Sequence, residues 1–398
     1  TFTWNAGIAA RFTTRASIST TNFETTNAPT ATRVSMVSPT TRHLLMFGTE
    51  TTIGDTSTQD DMFIRFSNQE EINVYAPTAE NSAGSQRLQD GTKIMGALKA
   101  KDNILVWTDT ALYTMKFVGS PFTFGFEQVG TNCGLIGKSA VIEIDGVAFW
   151  MSAKGFFLFD GTVKSLGCSV EDYVYNDIDT TKGQQINAGV NNLFTEITWY
   201  YPTSGADFND RYVVHNYGEA TKIPGGVWYT GSEGRTSWMN AKIYPNPYAL
   251  KYNSSATGTF PSVIGETGLG QSTYYEHEVG VDQINPDGST TAITSSLESY
   301  DFDLDLQGQG EFFLAIRRFI PDFKTLTGNA TVSFNLKRFP SDTATTSTFS
   351  PFTVTSSTQK FDTRARGRFA SLKIANLTSS EDWRFGTFRI DVQPDGRR

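Results

Sequence analysis

The sequence predicts an all-β fold, a β-propeller-like domain followed by a C-terminal β-sandwich, and three observations carry that expectation. First, two aromatic hairpin patterns follow one another between Asn103 and Cys168: Ile104-Leu-Val-Trp-Thr-Asp-Thr-Ala-Leu-Tyr-Thr-Met115, then Val147-Ala-Phe-Trp-Met-Ser-Ala-Lys-Gly-Phe-Phe-Leu-Phe159. In each, an apolar run ending in Trp (Trp107, Trp150) precedes a short polar turn and a second apolar run closed by glycine (Gly119, Gly161), which is a hairpin signature. Trp150 follows Trp107 at the spacing of one propeller blade, roughly 40–45 residues. Second, 13% of the 398 residues are aromatic and 35 are glycine, whereas 19% are charged, below the roughly 25% usual for a soluble domain. Sheets joined by many tight turns suit that mixture. Third, short apolar runs bounded by turn residues recur along the chain, with a single helical period among them.

Residues 1–40 are rich in Thr, Ser and Ala, with isolated aromatics at Phe2, Trp4, Phe12 and Phe23, and predict an extended arm. Residues 41–288 form the propeller-like domain. Its strand candidates are His43–Phe47, Met62–Phe66, Glu71–Tyr75, Ile94–Leu98, the two Trp hairpins, Glu196–Tyr201, Asp210–Tyr217, Gly226–Tyr229, Tyr248–Tyr252 and Ser272–Glu278, enough for five or six blades. A helical insertion is expected near 170–190, where Val170, Tyr173, Val174 and Ile178 share one face and Asp172, Asn176 and Asp177 the other. The turn Pro286-Asp-Gly288 separates residues 289–398, whose longer strands (Ser299–Leu306, Glu311–Phe319, Asn329–Arg338, Arg366–Asn376, Trp383–Val392) suit a sandwich. The Ser/Thr-rich loop Pro340–Pro351 is expected to be mobile or used for contact.

A net charge of −8 argues against gripping nucleic acid through phosphates, which takes strongly basic surfaces; it leaves open a smooth acidic surface past which DNA slides. No apolar stretch approaches the roughly 20 residues of a membrane span, and no leader opens the chain. Thr1 lies inside a polar tract without Met, so an N-terminal portion is expected to be missing, whereas Pro394–Arg398 has the character of a natural end. Cys133 and Cys168 are too few and too far apart for a disulfide scaffold or a zinc cluster, and are expected to be reduced, mostly buried thiols of a protein assembled in a cytoplasm.

Asp301-Phe-Asp-Leu-Asp-Leu306 alternates strictly, setting Phe302, Leu304 and Leu306 toward a core and Asp301, Asp303 and Asp305 away from it. Three readings stay open: a cross-strand charge ladder with Arg364, Arg366 and Arg368 or with another subunit, a Ca²⁺ site, or a solvated face. The three histidines, His43, His215 and His277, have no metal-ligand spacing and read as structural. Nucleophile elbows, dinucleotide fingerprints and P-loops are absent from the sequence, so no catalytic, cofactor-binding or metal residue is assigned. Glycoside hydrolysis is the best enzymatic alternative, with Asp172, Glu196, Asp210, Glu219 and Glu266 as possible carboxylates and nothing to single out a pair.

The run Gly119–Phe124, then Gly137–Gly161, Cys168–Tyr173, Asp210-Arg-Tyr212, Arg235-Thr-Ser-Trp238, Tyr275-Glu-His-Glu278 and Ile320-Pro-Asp-Phe323 resembles the tail nozzle, or packaged-DNA stabilisation, proteins of tailed bacteriophages over residues 100–398. The resemblance implies a non-enzymatic virion structural protein, a propeller with accessory β domains, in a hexameric ring around the channel through which the genome leaves. It further implies neighbours among the portal or adaptor and the fibres, DNA passing without specific binding, no membrane insertion, and assembly in the host cytoplasm. The rival is a carbohydrate- or receptor-binding tail protein, with Trp228, Tyr229 and Trp238 as sugar-stacking rings. Rings clustered and exposed in a concave pocket favour that rival; rings buried between sheets favour the scaffold.

Overall fold

The computed structural model describes residues 2–5, 8–11, 28–101, 103–220, 225–242, 244–253, 271–285, 288–304, 312–339, 341, 347–348 and 351–396. Among them strands dominate, with one α-helix, so the protein is all-β. It divides into two compact units, Thr1–Glu278 and Val279–Arg398.

In the first unit, β1 (Phe2–Asn5) pairs antiparallel with β2 (Ile8–Arg11). Four four-stranded antiparallel meanders follow, each with its strands side by side in chain order. The first holds β3 (Val34–Val37), β4 (Leu44–Phe47), β5 (Phe63–Phe66) and β6 (Gly84–Arg87). The second holds β7 (Ile94–Lys99), β8 (Ile104–Thr108), β9 (Ala111–Gly119) and β10 (Thr123–Thr131). The third holds β11 (Val141–Ile144), β12 (Val147–Ser152), β13 (Gly155–Phe159) and β14 (Val163–Leu166). The fourth holds β15 (Asn187–Asn191), β16 (Glu196–Tyr201), β17 (Arg211–Asn216) and β18 (Val227–Gly231). A fifth meander has three strands, β19 (Ser237–Met239), β20 (Tyr248–Asn253) and β21 (Gln271–Glu276).

Burial explains the order. The second strand of each four-stranded sheet is nearly or wholly buried on both faces, as its mainly apolar sequence requires, while the edge strand β6 is largely exposed and β14 half so. Phe47, Trp107, Trp150 and Trp199 all occupy the fourth position of their second strand and are fully buried. Between β11 and β12 the two-residue turn Asp145-Gly146 has φ of 50° and 88°, both left-handed, as a type I′ hairpin needs.

Several expected elements differ. The arm expected over 1–40 gives way at Val34, because β3 pairs with β4 and packs Val34 and Met36 against the core; Phe12 and Phe23 lie outside the described residues. Glu71–Tyr75 forms turns rather than a strand, with only Asn68 bridging Glu71. The helical insertion is α1 (Glu171–Asp177) followed by a 3₁₀ turn over Thr180–Gln185, and Val190 belongs to β15. Val174 and Ile178 are buried as expected, but Tyr173 is 52% exposed, because so short a helix presents a narrow face.

In the second unit, β22 (Asp282–Ile284) and β23 (Thr290–Ala292) pair antiparallel, while Pro286 and Asp287 of the expected turn lie outside the described residues. The Asp282 carboxylate accepts hydrogen bonds from the Ser380 backbone N–H at 2.9 and 3.0 Å, which ties β22 to the rest of this unit. The remaining strands are β24 (Ser295–Glu298), β25 (Leu314–Thr327), β26 (Ala330–Lys337), β27 (Ser347–Thr348), β28 (Phe352–Val354), β29 (Phe361–Gly367), β30 (Phe369–Asn376) and β31 (Asp382–Pro394). One sheet runs β24-β30-β26, with β27 and β28 both on β26; the other runs β29-β25-β31. A single cluster holds Leu314, Ile316 and Phe319 of β25 with Val332, Phe334, Leu372 and Ile374 of β26 and β30.

Ser299–Leu306 is not a strand in its described part: Phe302 makes one isolated bridge to Ala370, while Asp305 and Leu306 lie outside the described residues. The strand expected over Arg366–Asn376 is two, because the chain leaves one sheet at Gly367 and enters the other at Phe369. The loop Pro340–Pro351 lies mostly outside the described residues.

Candidate functional site

A cleft of about 880 Å³ opens in the first unit where β11, β15 and β19 come together. Strand alternation places Ile142 and Ile144 of β11 and Ala188 and Val190 of β15 along its floor. Trp238 of β19 forms a wall: its indole Nε1 donates to the Val190 carbonyl at 2.7 Å. The ring lies so close to β15 that a Cβ on Gly189 would sit 2.4 Å from it, so only glycine admits the contact. Tyr217, half-buried, and Tyr244, 50% exposed, add two further rings.

Polar groups rim these rings. Glu143 Oε1 accepts from the Gly146 N–H at 2.5 Å, fixing the turn that presents Asp145. The Asn192 N–H donates to Asn240 Oδ1 at 3.4 Å, which directs the Asn240 amide. Lys242 is exposed beside them.

Behind Trp238 lies a charged cluster. Arg235 is buried and donates through Nε to His277 Nε2 at 3.0 Å, through NH1 to Glu233 at 2.9 Å, and faces the Tyr275 ring at 4.7 Å. His277 accepts at Nε2, so its ring proton sits on Nδ1; burial and the Arg235 guanidinium push its pKa down to about 4. Burial alone would raise Glu233, but Lys251 at 2.9 Å and Arg235 outweigh it and hold the carboxyl below its ordinary value. These groups satisfy one another and lock the β18–β19 connection to β20 and β21, an ion-pair network with no free nucleophile or base among them.

The sequence-expected residues scatter. Asp172 is exposed on α1; Asp210 accepts from the Thr203 N–H and hydroxyl, both at 2.8 Å, as a turn brace; the Glu219 N–H donates to Asn216 Oδ1; Glu266 lies outside the described residues. Glu196 is half-buried and bonded to the Tyr229 hydroxyl; burial first, and Glu278 second, raise its pKa against that bond. Glu278 itself accepts from Asn191 Nδ2 at 2.8 Å, and its pKa is raised by burial. The proximity of Glu196 and Glu278 had no signal in the sequence, because it depends on Glu278, beyond the end of β21, returning to Asn191 of β15, which lies opposite Glu196.

His43 is buried with Nε2 3.0 Å from Ser82 Oγ. His215 is buried beside Trp228, ring centroids 4.5 Å apart. Burial pushes the Cys133 and Cys168 thiols up to about 11 and about 12, and both are free. Of the proposed stacking rings, Trp228 is buried and donates to the Gly167 and Gly225 carbonyls, Tyr229 is 41% exposed and engaged with Glu196, and Trp238 alone lines the cleft.

Among the described residues the charge ladder within this chain is not formed; Asp305 lies outside them. Asp301 pairs with Lys337 at 2.6 Å, Arg366 pairs with Asp395 at 2.6 Å, and Arg368 faces the Phe313 and Phe339 rings. The reason is topological: Phe302 bridges β30, whereas Arg364 and Arg366 lie on β29 in the other sheet. No group of three or more metal-ligating side chains occurs among the described residues, and no described helix is long and apolar enough to cross a membrane.

No family model matches the chain, and no curated protein matches it in sequence. By structure it is similar to a S. cerevisiae complex of dbp5 bound to nup159 and gle1, with TM-score 0.32 and 9% identity over 71% of this chain and 69% of that one. A second likeness is to the N-terminal domain of Nup159, with TM-score 0.30 and 9% identity over 72% and 70%. A third is to an exo-β-1,3-galactanase from Phanerochaete chrysosporium, with TM-score 0.29 and 9% identity over 90% and 95%. Likenesses this distant assign neither family nor activity.

Proposed function

We propose that the protein is a non-enzymatic structural component of a bacteriophage tail, a nozzle subunit that joins further copies in a six-fold ring whose lumen passes DNA without holding it. In this reading the first unit is a β-propeller whose blades are the four four-stranded meanders and the three-stranded one, and the second unit is a β-sandwich. The portal or adaptor and the fibres are its neighbours, the virion its location and the host cytoplasm its place of assembly.

The observation that supports this reading is an unbroken series of aromatic joints between successive sheets. Phe66 meets Phe124 at 5.0 Å between the first and second sheets, and Trp107 meets Trp150 at 5.4 Å between the second and third. Phe156 meets Trp199 at 5.1 Å, and Trp199 Nε1 donates to the Ala140 carbonyl at 3.0 Å, joining third to fourth. Trp238 Nε1 reaches Val190 between fourth and fifth. Phe124, Trp150, Phe156 and Trp238 all belong to the motifs that carry the nozzle resemblance, and in this chain they serve as joints of a rigid frame. The net charge of −8 suits a surface that avoids phosphate contacts.

Negative-stain electron microscopy of the purified protein tests the proposal. A six-fold ring with an open centre is expected, together with loss of packaged DNA or incomplete tails in virions lacking the protein. A monodisperse monomer that is also absent from mature particles would overturn it.

A further inference from the structure

We propose that the cleft between β11, β15 and β19 is a binding site for a short, uncharged oligosaccharide. The inference goes beyond the scaffold reading and holds whether or not the protein forms a ring.

Size comes first. At about 880 Å³ the cleft lies near the upper end of the roughly 300–1,000 Å³ usual for ligand sites, more than one sugar ring needs. Its chemistry is the second ground. A pyranose has apolar C–H faces and a hydroxyl edge, and the cleft divides its surface in the same way. Trp238, Tyr217 and Tyr244 line it with aromatic rings, while the Asn240 amide and the Asp145 carboxylate supply donors and acceptors among the lining groups.

Preorganisation is the third. Trp238 cannot swing away, because its Nε1 is held by Val190 and its ring rests on the backbone at Gly189. The Asn240 oxygen accepts a long hydrogen bond from the Asn192 N–H at 3.4 Å, which leaves its NH₂ donors out of that contact. A site whose groups are fixed before the ligand arrives loses less freedom on binding. Charge then selects among ligands: Glu143 and Asp145 stand against Lys242, so phosphorylated chains and single-stranded nucleic acid meet net repulsion while neutral sugars do not.

Isothermal titration calorimetry on the full chain with maltohexaose, chitohexaose and a β-linked galactohexaose tests the site. At least one is expected to bind with a millimolar or tighter Kd. Tyr244→Ala, on an exposed ring, should weaken that binding by about tenfold or more, the effect of losing about 1.4 kcal/mol of stacking. Phe122→Ala, on a ring 75% exposed in the turn between β9 and β10 and outside the cleft lining, should leave Kd unchanged. Tyr217→Phe keeps the ring and should preserve binding, which separates stacking from a folding defect. Binding of none of the three sugars, binding indifferent to Tyr244→Ala, or preference for a thymidine oligonucleotide over every sugar would each overturn the proposal.

Discussion

His215 is neutral in the folded protein because water cannot reach it: the ring is fully buried against Trp228, and neither nitrogen has a partner among the described residues. Burial moves its pKa from 6.5 to about 4. A folded-state value below the unfolded one means that the unfolded chain takes up the proton first as the pH falls. Stability therefore declines from about pH 6.5 downward and levels off below about pH 4, by about 3 kcal/mol in all. Urea midpoints across that window should fall for the natural protein and by less for His215→Leu. Parallel pH profiles for the two would locate the titration elsewhere. His277 shifts in the same direction and to a similar value, through burial and the Arg235 guanidinium, so its contribution falls in the same window and persists in His215→Leu.

The second strand is the element on which each sheet of the first unit depends. Trp107 and Trp150 occupy the same position of β8 and β12, yet they differ in one bond. Trp150 Nε1 donates to the Cys133 carbonyl at 2.8 Å, whereas Trp107 Nε1 has no described partner. Either change to Ala should cost about 3–5 kcal/mol for the lost packing. Phe separates the two, because Trp150→Phe also leaves a buried carbonyl unpaired and should cost about 1–3 kcal/mol more than Trp107→Phe. Denaturant unfolding of the pair checks this, and equal losses would remove the bond from the account.

These strands were legible because alternation and apolar runs report burial directly. In β26 the pattern Ala330, Val332, Phe334, Leu336 is buried at every second residue, just as it reads. Partners were not legible, because which charge meets which depends on sheet membership: Asp301 finds Lys337 and misses Arg366 only because β29 left for the other sheet. The cleft was legible only at Trp238. Glu143 lies far along the chain from Lys242 and Tyr244, so nothing short of the fold brings it beside them.

At the scale of the molecule the two units differ in how far apart in the chain their partners lie. In every meander of the first unit a strand pairs with the next one made. In the second unit Leu314 lies opposite Pro394, and Ser295 opposite Asn376. Near partners close small loops and pair fast, whereas distant ones must search. In pulse-labelled hydrogen exchange during refolding of the full chain, amides of β8, β12 and β16 should gain protection before those of β25 and β31. Simultaneous protection would show the difference in range to be without kinetic weight. On the ribosome the same asymmetry becomes a schedule: each sheet of the first unit can form as its last strand emerges, but β25 must wait, unpaired beyond Phe319, until β31 has emerged. For that interval its apolar face is what a chaperone would find.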